Sequence, residues 1–266
     1  MDINFDQEFW AQEIREREPD ARPVDVIDAV EFARTQLGFV ADEKQACVLR
    51  SKAKRGILNC SRQWGKSTVT AAKAVHRAYT RPGALVLVAG PTERQSAEFL
   101  RKASAMVRKL HIKPQGDGDN ATSLKFPNGS RIVGLPGTEA TVRGFSAVSL
   151  IVIDEASRVK DEMYQSLRPM LAVGDGDLWL MSTPNGQRGF FYEAWAGDNP
   201  DWYRVSATAE ECSRISAEFL EGERRVNEAS YFEQEYMCRF TASDGAYFDP
   251  ALIDAAVDLS IPGLNL

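Results

Sequence analysis

The run Asn59-Cys60-Ser61-Arg62-Gln63-Trp64-Gly65-Lys66-Ser67-Thr68 places a lysine and two hydroxyls directly after a glycine. A short apolar stretch, Gly56-Ile57-Leu58, precedes it, and a helix-like stretch from Ala71 to Tyr79 follows. This order suits a nucleoside triphosphate. Successive backbone N–H groups and a helix N-terminus cradle a β-phosphate, the lysine reaches the β- and γ-phosphates, and the next hydroxyl holds Mg²⁺. Lys66 and Ser67 fit those last two roles, and Ser61, Arg62, Gln63, Trp64, Gly65 and Thr68 make up the rest of the loop. The usual pattern, G-x-x-x-x-G-K-S/T, begins with glycine, whereas Cys60 stands in that position here. On this stretch alone, the competing reading is a Gly-Lys-Ser cap on a surface helix.

Downstream, Leu150-Ile151-Val152-Ile153-Asp154-Glu155-Ala156 is a continuous apolar run ending in two acids, the pattern of a central parallel strand buried on both faces. Acids at such a strand's C-terminal end emerge where open α/β sheets bind ligands. Asp154 is then placed to hold Mg²⁺, and Glu155 to orient and deprotonate an attacking water. The plainer alternative makes Asp154 the N-cap of an acidic helix start. Loop and acids together point to ATP hydrolysis.

The elements that must position these groups alternate along the chain. Strand-like runs fall at 56–60, 84–89, 130–134, 148–153 and 177–181, and helix-like stretches at 5–17, 24–36, 43–50, 67–79, 93–110, 161–167, 188–196, 214–225 and 228–237. That alternation predicts an α/β fold with a mainly parallel sheet and crossover helices. A helical segment, 1–50, precedes a core at 51–200, and a helical part, 201–266, follows; the two helical parts are expected to pack together as a lid. Gly116-Asp117-Gly118-Asp119-Asn120 and Gly174-Asp175-Gly176-Asp177 read as turns. The first lacks the downstream glutamate a calcium loop requires.

At 266 residues, 44% hydrophobic and 26% charged, the chain can bury one large core. No apolar run approaches the ~18 residues of a membrane span, and the acidic N-terminus lacks a signal-peptide pattern. A soluble, unsecreted protein with no membrane partner is expected. Cys47, Cys60, Cys212 and Cys238 lie far apart, and the only histidines are His76 and His111, which speaks against a zinc site or a disulfide framework. Cys60, inside the loop, reads either as an oxidation sensor or as a small residue tolerated beside a phosphate.

The net charge of −6 excludes a uniformly basic nucleic-acid coat. Basic residues are nevertheless concentrated locally, at Lys52-Ala53-Lys54-Arg55 and at Arg94, Arg101, Lys102, Arg108 and Lys109. Arg94, Arg101, Arg108 and Lys109 recur near seven-residue spacing, roughly one helix face, which can track DNA phosphates. Arg101, Lys102 and Lys109 are the candidate DNA contacts; a solvated surface is the alternative.

Taken together, these residues resemble the ATPase domain of the large terminase subunit of tailed bacteriophages, the motor that pumps double-stranded DNA into a preformed capsid. The resemblance runs from about Phe39 to Asp249. It rests on Gln45, the loop Ser61 to Ser67, Pro91-Thr92 with Gln95, Arg143-Gly144, Ile151 to Ala156, and Ser182-Thr183-Pro184-Asn185-Gly186 in that order; the missing first glycine of the loop is normal in that family. It implies a P-loop NTPase of the additional-strand, catalytic-glutamate type with a small helical lid subdomain, using ATP and Mg²⁺.

The resemblance assigns further roles. Gln45 resembles a glutamine that reads adenine through its amide. Arg62 resembles a loop arginine that contacts phosphate or reports the γ-phosphate, a task suited to a permanently charged fork. Arg143 is similar to an arginine proposed to enter the next subunit's site, an arginine finger worth ~10³ or more in rate. Ser182 and Thr183 resemble a coupling motif that senses hydrolysis. The implied partners are double-stranded DNA, further copies forming a pentameric ring, the portal protein and the small terminase subunit, in the host cell cytoplasm and transiently at the procapsid portal vertex. Large terminases usually carry a C-terminal nuclease domain; too little chain remains after Phe248 for one, so no DNA cleavage is expected. Two alternatives stay open: a DNA or RNA helicase-type ATPase core, and a nucleotide-gated assembly module.

Overall fold

The computed structural model describes residues 28–113, 116, 122–137 and 144–241. Helix α1 (Ala29–Thr35) starts on Asp28, whose carboxylate accepts from the N–H of Val30 and Glu31. Helix α2 (Glu43–Arg50) has the expected bounds and opens with a capping box. Asp42 accepts from the Gln45 N–H, and the Gln45 Oε1 accepts from the Asp42 N–H. There follow β1 (Arg55–Cys60), α3 (Lys66–Thr80), β2 (Leu85–Ala89), α4 (Glu93–Lys109), β3 (Ser123–Lys125), β4 (Arg131–Gly134), β5 (Leu150–Asp154), α5 (Asp161–Leu167), β6 (Asp177–Ser182), α6 (Gly189–Ala196), β7 (Trp202–Ala207), α7 (Ala217–Val226) and α8 (Ala229–Glu235). No described helix is long and apolar enough to cross a membrane.

The strands form one sheet in the order β3-β4-β2-β5-β6-β1-β7, and every pair is parallel except β3 with β4. Leu-Val-Leu-Val-Ala in β2 and Leu-Ile-Val-Ile-Asp in β5 are buried along their whole length, as strands covered on both faces must be. Alternate residues feed two separate cores. Leu58, Val86, Val88, Val152, Trp179 and Met181 pack on the face covered by α1 to α4, and Ile57, Leu87, Ile151, Ile153, Leu178 and Leu180 on the face covered by α5 and α6. The close approach of β1 to β6 explains Gly56: a Cβ there would lie 2.5 Å from the Trp179 ring.

Strand β6 sits between β1 and β5, so it is the additional strand that separates the loop-bearing strand from the acid-bearing one. Two strands were not foreseen. The edge strand β7 runs parallel to β1 from Arg55↔Trp202 to Cys60↔Ala207, extending the sheet past residue 200 into the part expected to be helical. β3 is only three residues long and pairs antiparallel with β4 over Ser123↔Val133 to Lys125↔Arg131. The described part of the N-terminal segment also differs from expectation. Phe32, Ala33, Leu37, Val48 and Leu49 are buried in the main core, because α1 and α2 lie against the sheet's helical layer rather than with the C-terminal helices. The latter hold a small cluster of their own, Ala209, Leu220, Phe232 and Tyr236. The expected helix at 5–17, most of the Gly116–Asn120 turn and everything after residue 241 lie outside the described residues.

Candidate functional site

Three neighbouring strand ends bring the sequence motifs together. β1 ends at Cys60 and leads into the loop, β5 ends at Asp154, and β6, paired to both, ends at Ser182 between them. The loop then folds back on two left-handed residues, Gln63 (φ 63°) and Gly65 (φ 99°). Gly65 meets a steric requirement as well as a conformational one, since a Cβ there would sit 3.0 Å from the Gln45 Nε2. The Trp64 side chain is buried in the main core and pins the loop, so Trp64 offers a ligand its backbone alone.

Among the described residues, the N–H groups of Gln63, Trp64 and Gly65 have no hydrogen-bond partner. They precede the 15-residue helix α3, whose first turn also presents unpaired N–H groups and the positive end of its dipole. Lys66 is buried, and its ammonium donates to the carbonyls of Cys60 (2.8 Å) and Ser61 (2.9 Å). The Ser61 hydroxyl is buried without a partner. Donors held at a helix N-terminus around a buried lysine form an anion cradle. Burial pushes the Cys60 thiol up, and its sulfur points to the Val205 carbonyl, so it is a packed residue rather than a redox sensor.

Opposite the cradle stand the acids. Asp154 is buried, accepts a hydrogen bond from Ser67, and accepts the Glu155 N–H at 2.9 Å. Burial, and after it the neighbouring charge of Glu155, push its carboxyl up to about 6 against the opposing pull of Ser67. A buried carboxylate and a hydroxyl sharing one hydrogen bond are a fitting pair of ligands for a hard cation, whose charge would relieve that burial. Glu155 adopts the left-handed conformation (φ 50°), which turns its side chain away from the strand and into the cleft. Ser182 donates to it at 3.5 Å and shares a 2.7 Å hydrogen bond with Ser157.

The cleft between cradle and acids has a volume of about 700 Å³, the size of a small-ligand site. Its wall carries Arg62, Lys66, Lys102, Arg158 and Arg214 against the single acid Glu155, and Phe39 and Gln45 also line it. A surface so cationic on an acidic chain suits a polyanion.

Residues 57–254 match the family model described as terminase large subunit, T4likevirus-type, N-terminal. This chain belongs to the terminase large subunit family. The terminase large subunit of Thermus phage G20c is 25% identical over 248 residues, covering 80% of this chain and 51% of that protein, so the chain spans about half the length of the curated relatives it matches. The large terminase ATPase domain of Thermus phage P74-26 superposes with a TM-score of 0.69 at 24% identity, over 83% of this chain and 99% of that one. The large terminase of thermophilic bacteriophage D6E, solved with ADP, gives 0.65 at 15% identity, over 75% and 53%. At these identities the likeness to the solved structures is one of fold, and it agrees with the additional-strand α/β topology of the sheet.

Within this terminase chain, the expected site residues Gln45, Arg62, Gln63, Gly65, Lys66, Ser67, Thr68 and Glu155 line one cleft, while Ser61, Trp64, Asp154, Ser182 and Thr183 support it from beneath. Arg143 lies outside the described residues. Gln45 is buried rather than an exposed helix residue, and its amide is already engaged: Oε1 in the capping box and Nε2 on the Trp64 carbonyl at 2.8 Å. It braces the loop. Lys102, a candidate DNA contact, lines the cleft, because a helix turns about 100° per residue and Lys102 does not share the face of Arg101 and Arg108. Lys109 donates to the Leu37 carbonyl at 2.8 Å, and Arg101 pairs with Glu98; Arg94, Arg101 and Arg108 remain exposed on one stripe.

Besides Phe39 in the cleft wall, three residues of the site were not foreseen. Arg214 donates to the carbonyls of Gln63 and Trp64 from the irregular segment before α7, which starts at Ala217 and not at 214 as expected. Arg158 and Glu235 form an ion-pair chain with Arg62 and Glu155. Arg158 follows Glu155 by one turn, a spacing that could have suggested contact. Glu235 comes from far along the chain.

Proposed function

We propose that this chain is an ATPase whose hydrolysis of Mg·ATP drives double-stranded DNA into a viral procapsid. One observation carries the reading. A buried lysine in an N–H-lined loop, a Ser67–Asp154 pair and a cleft-facing Glu155 converge on adjoining strand ends, in the relation phosphoryl transfer needs. Membership of the terminase large subunit family supports it, as does the likeness in fold to terminases crystallised with nucleotide.

In this reading Lys66 exchanges its two loop carbonyls for phosphate oxygens, and the N–H groups of Gln63 to Gly65 take the β-phosphate. Phe39 and Gln45 flank the base. Ser67 and Asp154 would hold Mg²⁺, which when bound would neutralise phosphate charge. Glu155 accepts a proton from water as the water oxygen bonds to the γ-phosphorus and the bond to the β–γ bridging oxygen breaks, leaving ADP and phosphate. Ser182, hydrogen-bonded to Glu155, is placed to register the change at the end of β6.

The partners are proposals from the same reading: double-stranded DNA held without sequence preference on the Arg94–Arg101–Arg108 stripe, a head-to-tail ring in which Arg143 completes a neighbour's site, the portal protein, and the small terminase subunit, at the portal vertex in the host cell cytoplasm. Phosphate release measured against protein concentration, with and without duplex DNA and purified portal, tests it. Turnover that rises with assembly and DNA is expected; no turnover under any of these conditions overturns it.

A further inference from the structure

Glu235, the last residue of α8, is 4% exposed, yet it reaches the nucleotide cleft from outside the sheet. Both of its carboxylate oxygens are taken by arginines that line that cleft. Oε2 accepts from the Arg62 Nε at 2.6 Å, and Oε1 accepts from the Arg158 Nη2 at 3.1 Å. The Glu235 carbonyl also accepts the Arg62 N–H at 3.3 Å. Arg158 in turn donates through Nη1 to Glu155 Oε2 at 3.2 Å and to Thr183 Oγ1 at 3.3 Å. One acid therefore ties together the loop, the catalytic glutamate, the end of β6 and the C-terminal helices.

We propose that Glu235 is a counter-anion which the γ-phosphate of a bound nucleoside triphosphate displaces from Arg62 and Arg158, so that a triphosphate, and not a diphosphate, frees the end of α8. This rests on the nucleotide reading of the cleft given above. A guanidinium fork binds carboxylate and phosphate with the same geometry, so the two anions compete for the same donors. Lys66 and the unpaired N–H groups can hold the β-phosphate without either arginine, which leaves Arg62 and Arg158 to answer to the γ-phosphate alone. A carboxylate left beside that phosphate meets like charge at close range and is expelled.

The helix that carries Glu235 packs mainly in a small cluster of its own. Phe232 and Tyr236 pack with Leu220 and Ala209 in a cluster apart from the two cores flanking the sheet. Within α8, Gln234 also reaches the loop after β6, its Oε1 accepting the Gly186 N–H at 2.7 Å, while the chain just beyond the helix is held by the Ala209 N–H on the Tyr236 carbonyl (2.7 Å) and the Asn59 amide on the Cys238 carbonyl (2.8 Å), so the displaced part is the Glu235 turn of α8. Arg158 also holds Glu155, so its transfer to the γ-phosphate releases the Glu155 carboxylate for water. Glu235 is thus a positioning residue: it never touches the reacting atoms, but it sets when the groups that do are free.

Coupling of this kind is reciprocal, so removing the acid must strengthen triphosphate binding by as much as the triphosphate weakens the acid's hold. The test uses the whole chain, Mg·ATPγS and Mg·ADP, with calorimetric titration of wild type and Glu235→Gln and amide hydrogen exchange over 229–241. Glu235→Gln should bind Mg·ATPγS about tenfold more tightly while Mg·ADP changes less than twofold. In wild type, exchange over α8 should rise with Mg·ATPγS and stay unchanged with Mg·ADP, a measurement that stands even if the variant folds poorly. Equal shifts for both nucleotides, no shift for either, or α8 protection that is the same in all states overturns the displacement. Wild type that binds neither nucleotide overturns the nucleotide reading itself.

Discussion

Asp154 should cost the nucleotide-free protein stability, and neutralising it should make the protein sturdier and inert. Its carboxyl, ordinarily near 3.8, is pushed up to about 6 by burial and by Glu155. The folded state thus holds the proton more tightly than the unfolded chain does. The sign follows: stability from this group is fully present below the unfolded value and is lost as pH rises from about 4 through about 6. A gap of about two units corresponds to ~3 kcal/mol, an upper figure because the site can relax. Asp154→Asn removes the titration while its carbonyl oxygen can still accept from Ser67 and the Glu155 N–H. The difference in unfolding free energy between variant and wild type, measured by urea unfolding without nucleotide at several pH values, should therefore grow from near zero at pH 4 to about 3 kcal/mol in the variant's favour above pH 6.5, or ~6–12 °C in Tm. The variant should not turn over ATP, the trade expected when a strained functional charge is removed. A variant less stable than wild type at pH 7.5, or a difference that does not vary with pH, refutes this account of the acid pair.

Other consequences can be checked alongside. Gly65→Ala forces a Cβ against the Gln45 amide at a backbone angle L residues resist, so it should cost about 1–2 kcal/mol of stability and loosen Mg·ATPγS at least tenfold by titration. Lys102→Ala should raise KM for ATP and leave duplex affinity within twofold, whereas charge reversal at Arg94 and Arg108 together should weaken DNA binding and flatten its salt dependence in a filter or anisotropy assay. Mixing Glu155→Ala with Arg143→Ala subunits under assembly conditions should restore part of the lost ATPase, since the first still donates Arg143 and the second keeps its acids; a mixture no more active than its parts would show that Arg143 acts within its own subunit or not at all.

The sequence revealed most where burial or local chemistry leaves a mark on consecutive residues. β2 and β5 are uninterrupted apolar runs because both faces are covered, and α2 has the bounds expected of it, fixed at its start by the capping box that Asp42 and Gln45 close on each other. The edge strand β7 left a weaker mark, because Trp202 to Ala207 mix apolar and polar residues on a half-exposed sheet margin. The site divides in the same way. Lys66, Ser67, Asp154 and Glu155 follow one another within motifs and could be read directly. Arg214 and Glu235 act on the loop from more than a hundred residues away and become visible only when α7 and α8 fold back over it. Lys102 shows how much one step along a helix matters: it turns a charge from the exposed stripe of Arg94, Arg101 and Arg108 to the cleft beside Lys66.

The claim on which everything else depends is that cradle and acids share one nucleotide, the cradle binding it and the acid at 155 cleaving it. Calorimetric titration of Mg·ATP into Lys66→Ala and Glu155→Ala, paired with phosphate release from each under assembly conditions, separates the two roles. Lys66→Ala should lose measurable binding, because nothing else in the loop supplies its buried charge. Glu155→Ala should bind at least as tightly as wild type and release no phosphate. Wild-type affinity in Lys66→Ala, or sustained phosphate release from Glu155→Ala, would contradict the account.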